Sequence, residues 1–214
     1  MVEPTTQNLN GDILFTYECP ETEYSSLKAY NKTIDWATVK HRGQQSKSGR
    51  SFIPDSQSLH HSEQLSGLHR WVTACINDTR SRQNWRAETV PELAISQSWI
   101  NRSDTGEQHH KHIHPLSILS AILYMTEPAE TEFIAPSIYA LPSIIAPDKA
   151  SQFTSNTTTF KAKERTLVVF PSSLKHGVGA NLEAFSRYTF SVNTWIKGSH
   201  GLSSELAFVP EKLD

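Results

Sequence analysis

The chain has 214 residues, 37% of them hydrophobic and 20% charged, with a formal net charge of -2. This is enough chain to bury a core without disulfide staples, and the charge balance leaves no electrostatic footprint for nucleic acid or an anionic membrane surface. The only cysteines, Cys19 and Cys75, do not make a disulfide framework, no apolar run is long enough to span a bilayer, and Met1 opens no basic-then-apolar leader, so a cytoplasmic, reducing setting is expected.

Residues 1–11 are polar and read as a loose lead-in. Residues 12–17 predict a short strand bounded by Gly11 and Pro20. Tyr24, Leu27 and Tyr30 recur at helical spacing and predict a short helix within 21–39. The Gly-, Ser- and Gln-rich stretch 41–55 predicts a loop. The strongest helix runs from Ser58, the expected N-cap, to about Asp78, with Leu65, Leu68, Val72 and Cys75 or Ile76 on one face. His60, His61 and His69 lie on or beside it and are read as surface histidines, because no other ligand type sits beside them.

After Pro91 the apolar period changes from 3.6 to two. Ile95, Gln97, Trp99 and Asn101 share one face of a predicted strand, and the chain is expected to turn over 100–106. Residues 116–125 form a long apolar strand ended by Glu127-Pro128. Pro136, Pro142 and Pro147 punctuate 130–148, which predicts edge strands and turns. Strands are predicted again at 153–161, 165–170 and 185–196. Short strands behind a helical start predict a β-sandwich or barrel with helices packed outside.

Four of the ten histidines fall in the run His109-His110-Lys111-His112-Ile113-His114. On an extended strand, His110, His112 and His114 would alternate onto one face, a geometry suited to a first-row transition metal. A solvated His-rich loop is the plainer reading. His176 stands alone where a strand is expected to end and turn, after Phe170-Pro171-Ser172. On 185–196 one face carries Arg187, Thr189, Ser191 and Asn193, and the other carries Tyr188, Phe190, Val192, Thr194 and Ile196. This is either a half-exposed strand or a row facing a cavity, in which Arg187 beside hydroxyls would anchor a carboxylate.

Taken in order, Ser98-Trp99-Ile100-Asn101, His112-Ile113-His114-Pro115, the strand from Ser117 to Tyr124, Phe170-Pro171-Ser172 to His176, and Arg187-Tyr188-Thr189 to Asn193 resemble the Fe(II)- and 2-oxoglutarate-dependent oxygenases. More narrowly, they resemble a largely uncharacterised bacterial and phage family of that class. The resemblance spans roughly 95–196. It implies a mainly β fold, a double-stranded β-helix (a jelly-roll or cupin-like barrel), with the N-terminal helices packed outside. The expected organisation is one domain over 1–214, with a helical and loop part at 1–94, the jelly-roll core at 95–196 and a C-terminal tail at 197–214.

The resemblance further implies that His112, His114 and His176 hold Fe(II). Arg187, helped by Thr189, would bind the distal carboxylate of 2-oxoglutarate, with Tyr124 and Asn101 lining the same pocket. The implied reaction couples oxidative decarboxylation of 2-oxoglutarate to hydroxylation, with O₂ and an organic substrate, small molecule or protein side chain, as partners. The chain departs from the commonest ligand set in placing His114 where Asp or Glu is usual, which leaves His110 with His112 as a second pairing and Glu107 as a stand-in carboxylate. Two readings from other classes compete. One is a cupin-like metalloprotein that does not use 2-oxoglutarate, which the carboxylate-free stretch 115–119 disfavours. The other is a non-enzymatic β-sandwich module with a closed structural metal site, for which Cys19 and Cys75 are not spaced.

Overall fold

The architecture follows from strands that carry apolar residues on both faces. The computed structural model describes residues 3–9, 12–40, 48–54, 59–86, 89–134, 157–202 and 207–209. Thirteen strands and two α-helices are defined among them: β1 (Thr5–Leu9), β2 (Asp12–Glu18), α1 (Glu21–Thr33), β3 (Arg50–Phe52), α2 (Ser66–Arg82), β4 (Leu93–Ser103), β5 (His109–His112), β6 (Leu119–Tyr124), β7 (Ala129–Ile134), β8 (Thr157–Ala162), β9 (Thr166–Pro171), β10 (Lys175–Val178), β11 (Arg187–Ile196), β12 (His200–Leu202) and β13 (Ala207–Val209). A seven-stranded sheet of order β1-β2-β9-β6-β11-β4-β3 faces a four-stranded sheet of order β5-β10-β7-β8. This is the expected double-stranded β-helix with helices outside. No helix among the described residues is long and apolar enough to cross a membrane.

Strand β6 explains the layering. All six of its residues are buried. Leu119, Ala121 and Leu123 join the core that α1 and α2 cover, whereas Ile122 and Tyr124 join the core between the two sheets. On β9, Leu167 and Val169 face the helices, and Val168 and Phe170 face the other sheet. A strand covered on both faces has no solvent side, so it reads as continuous apolar sequence. Helix α2 contributes Leu68, Val72, Cys75 and Ile76, each at most 1% exposed, to the outer core. Each such side chain contributes about 1.5–3 kcal/mol on burial.

Several expectations need correction. The lead-in contains β1, a polar edge strand that pairs with β2 from Thr5↔Thr16 to Leu9↔Asp12. The loop 41–55 contains β3, which pairs with β4 at Ser51↔Asn101. The part before residue 95 therefore adds three strands to the large sheet as well as its helices. Helix α2 begins at Ser66, after two 3₁₀ turns at Leu59–His61 and Glu63–Leu65, and Ser58 lies outside the described residues. The prolines at 136, 142 and 147 and residues 153–156 also lie outside them. The tail carries the β12–β13 hairpin. A bulge on β4 pairs Asn193 with Gln97 but Thr194 with Ile95, skipping Ser96. One extra residue flips the face, and Ile95 packs on the outer core rather than sharing the side of Trp99 and Asn101. His69, expected at the surface, is 7% exposed and packs 5.6 Å from the Phe190 ring.

Candidate active site

His176 sits inside β10, between β5 and β7, and not at a turn as the sequence suggested. It faces His112 across the β5–β10 pair and is 3% exposed. His114 follows the end of β5, where its backbone N–H donates to the Ser172 carbonyl at 3.0 Å. Its Nε2 comes within 3.2 Å of His176 Nε2. The ligand atoms of His112, His114 and His176 all lie within 4.8 Å of one another, and no other such group of histidine, cysteine or acidic side chains occurs among the described residues.

The donor chemistry of this cluster suits a metal. His112 Nδ1 donates to the His110 carbonyl at 2.8 Å, and His176 Nδ1 donates to the Leu174 carbonyl at 2.9 Å. A carbonyl only accepts, so the proton sits on Nδ1 and leaves Nε2 with a free lone pair. A second hydrogen bond of this kind orients histidine ligands in metal sites. Burial, reinforced by neighbouring imidazoles, pushes the proton affinity of His114 down to about 4 and that of His176 to about 3; burial also lowers that of His112. At neutral pH all three are therefore uncharged and able to ligate.

The alternation of His110, His112 and His114 does not survive in the fold. On β10, Val178 follows His176 by two residues, but their partners His109 and His112 are three apart. The extra residue on β5 turns His110 out to solvent and brings His109 to the pocket side. His110 is thus outside the cluster that His112 forms with His114 and His176. Glu107 is not a stand-in carboxylate either: its Oε2 accepts the backbone N–H of Asp104 at 2.8 Å. Asp104 is itself held by Arg50 at 2.6 Å and Arg102 at 2.7 Å.

The three histidines open onto a pocket that Asn101, Tyr124, Arg187 and Thr189 also line, together with Trp99 and Ser191. β11 supplies its polar row to this pocket and its apolar row to the helix side, where Phe190 and Val192 are at most 1% exposed. Asn101 is fully engaged. Its Nδ2 donates to Thr189 Oγ1 at 3.2 Å and Ser191 Oγ at 3.1 Å, and its Oδ1 accepts from Ser51 Oγ at 2.6 Å and Trp99 Nε1 at 3.0 Å. Because Thr189 Oγ1 accepts from Asn101, its own O–H remains free to donate into the pocket. Tyr124 is 1% exposed and donates to Thr131 Oγ1 at 2.7 Å; burial raises its phenol well above the ordinary range. Arg187 Nη2 donates to the Gly179 carbonyl at 3.0 Å, and the guanidinium has no carboxylate partner within 4 Å among the described residues. Burial makes its charge less favourable.

Sequence reasoning missed His109, Ser120 and Thr131 as pocket residues. Ser120 belongs to a buried hydroxyl chain: it sits 2.8 Å from Ser172 Oγ and donates to Asn193 Oδ1 at 3.0 Å, while Ser172 donates to Ser117 at 2.7 Å. Serines inside an otherwise apolar strand were the available signal.

The fold thus gathers three imidazoles and a half-buried arginine, with no carboxylate partner among the described residues, in one pocket. Residues 97–193 match the family described as "Putative 2OG-Fe(II) oxygenase", a family of oxidoreductases that uses Fe(II) and 2-oxoglutarate. No curated protein matches the sequence. Solved structures share the fold at low identity. The non-heme alpha ketoglutarate dependent epimerase SnoN from nogalamycin biosynthesis is 12% identical with a TM-score of 0.62, over 89% of this chain and 81% of that one. A Pseudomonas putida prolyl-4-hydroxylase is 12% identical with a TM-score of 0.57, over 86% and 93%. HygX from Streptomyces hygroscopicus, crystallised with nickel, 2-oxoglutarate and hygromycin B, is 11% identical with a TM-score of 0.53, over 85% and 82%.

Proposed function

We propose that this chain is an Fe(II)- and 2-oxoglutarate-dependent hydroxylase, in which His112, His114 and His176 hold the iron and Arg187 with Thr189 holds the far carboxylate of 2-oxoglutarate. The observation that carries the reading is one pocket with two unlike ends. At one end stand three neutral imidazoles within 4.8 Å, and at another a half-buried guanidinium with no carboxylate partner among the described residues. A five-carbon keto diacid has a chelating group for the first and an anion for the second. Bound Fe(II) with 2-oxoglutarate supplies the activation of O₂, and the overall reaction consumes 2-oxoglutarate, O₂ and R–H to give succinate, CO₂ and R–OH.

The chain's own residues supply orientation and exclusion of water. The Nδ1 hydrogen bonds of His112 and His176 fix their rings. Asn101 fixes the hydroxyls of Thr189 and Ser191. Tyr124, Ile122 and Ala129 give the pocket apolar walls that keep bulk water from the reacting groups. The test is anaerobic titration of Fe(II) and then 2-oxoglutarate into the protein, following the metal-to-ligand charge-transfer band, with succinate measured after oxygen is admitted. Saturable binding and succinate release support the reading; neither 2-oxoglutarate binding nor succinate would refute it.

A further inference from the structure

We infer that His109 is a second donor to the distal carboxylate of 2-oxoglutarate, beside Arg187, placed there by the bulge in β5. This rests on the reading above. His109 pairs with Val178, one step past the His112–His176 rung, and Arg187 donates to the carbonyl of Gly179, the next residue. The backbone of His109 and the side chain of Arg187 therefore meet neighbouring residues of one short segment, and the His109 ring lies 5.0 Å from that of His112. Both line that pocket.

The placement is built into the backbone. A regular strand would put His109 on the face opposite His112. The extra residue in β5 reverses this, and Gly177 on β10 makes room for it. A Cβ at Gly177 would lie 2.9 Å from Lys111 Cγ and 3.0 Å from both the His109 carbonyl and Lys111 Cα. Bulges re-aim side chains beside functional sites.

The imidazole also wants a partner. His112 and His176 each spend Nδ1 on a carbonyl two residues back, whereas the ring nitrogens of His109 make no hydrogen bond among the described residues. Glu130 lines the same pocket, but its side chain is exposed and pairs with Lys161 at 3.4 Å.

The experiment compares His109→Phe, which keeps a ring and loses the donors, with His109→Gln, which keeps an N–H; His109→Leu replaces the Phe variant if that fails to fold. Fe(II) affinity is measured first, then anaerobic binding of 2-oxoglutarate and of 2-oxovalerate, which lacks the distal carboxylate. Donor loss to a charged acceptor should weaken 2-oxoglutarate roughly 10- to 100-fold, leave Fe(II) and 2-oxovalerate affinities within about twofold, and be partly recovered in His109→Gln. Unchanged 2-oxoglutarate affinity, equal loss of 2-oxovalerate, or loss of Fe(II) overturns the inference while the proposed function stands. Absence of 2-oxoglutarate binding in the native protein overturns both.

Discussion

Replacing Arg187 by alanine separates cosubstrate binding from metal binding. The guanidinium spends one N–H on Gly179 and has four left, enough for a two-pronged pair with a carboxylate. Truncating one partner of a desolvated charge pair costs about 2–5 kcal/mol. Arg187 is half-buried rather than sealed, so the lower part of that range applies, about 2–3 kcal/mol or roughly 30- to 150-fold in affinity. Fold stability should change by less than about 1 kcal/mol, because the change frees only the Gly179 carbonyl to water. Arg187→Lys keeps the charge but not the fork, and should recover only part of the loss. The assay is anaerobic titration of 2-oxoglutarate into Fe(II)-loaded protein. Unchanged 2-oxoglutarate affinity in Arg187→Ala, or a parallel loss of Fe(II) affinity, would refute the division of labour between the two ends of the pocket.

Substitution of His112, His114 or His176 by alanine should each cut Fe(II) affinity at least 10-fold by equilibrium metal titration, because each removes one of the three proposed ligands, whereas His60→Ala and His200→Ala should leave it unchanged. Gly177→Ala drives a Cβ against the β5 backbone at 3.0 Å, so it should weaken metal binding through His112 while circular dichroism shows the sheets intact. His69 gives a pH signature away from the pocket. Burial first, then the charges of His60 and His61, depress it from 6.5 to about 4. A depressed histidine contributes stability that is complete above its unfolded value and lost as pH falls from about 6.5 towards 4, amounting to about 2 kcal/mol by pH 5. Denaturant melts at pH 7 and 5 should show a smaller drop by that amount in His69→Gln, and an identical drop would show that His69 is not buried uncharged.

What was legible in the sequence was whatever depends on period alone. β6 could be read because each of its faces meets a different apolar layer, and β11 because its helix-side row is apolar while its polar row, with Arg187, faces the pocket. The site residues named from the sequence come together in one pocket because they lie on regular strands or at their ends. The failures are places where tertiary context inserts or hides one residue. Alternation assumed an unbroken β5, but the bulge depends on Gly177 in another strand, far away in sequence. Ser96 does the same to Ile95. The start of α2 was misjudged because Ser58 suits a cap by residue type, whereas the helix follows two 3₁₀ turns and is capped at Leu65 without a side-chain hydrogen bond. β1 escaped notice because an edge strand needs only backbone partners, not an apolar stripe.

The absence of a carboxylate from the triad has an electrostatic consequence. Among the described residues, Asp104 is held by Arg50 and Arg102, and Glu107 by its own turn, so neither neutralises the histidine cluster. Three neutral imidazoles would leave both charges of Fe(II) uncompensated by protein, and Arg187 adds a third positive charge in the same pocket. In a partly desolvated space such charges attract a dianion much more strongly than in water. Succinate keeps the distal carboxylate of 2-oxoglutarate, and the former keto carbon becomes its second carboxylate when C1 leaves as CO₂, so it is still a dianion, one carbon shorter. It should therefore compete effectively with 2-oxoglutarate in Fe(II)-loaded protein. The competition should weaken at least 10-fold when either positive end is removed, by omitting Fe(II) or by Arg187→Ala. Displacement of labelled succinate measures both arms on protein that need not turn over. Succinate affinity indifferent to Fe(II) would place the dianion away from the triad and remove the charge argument for a three-histidine centre.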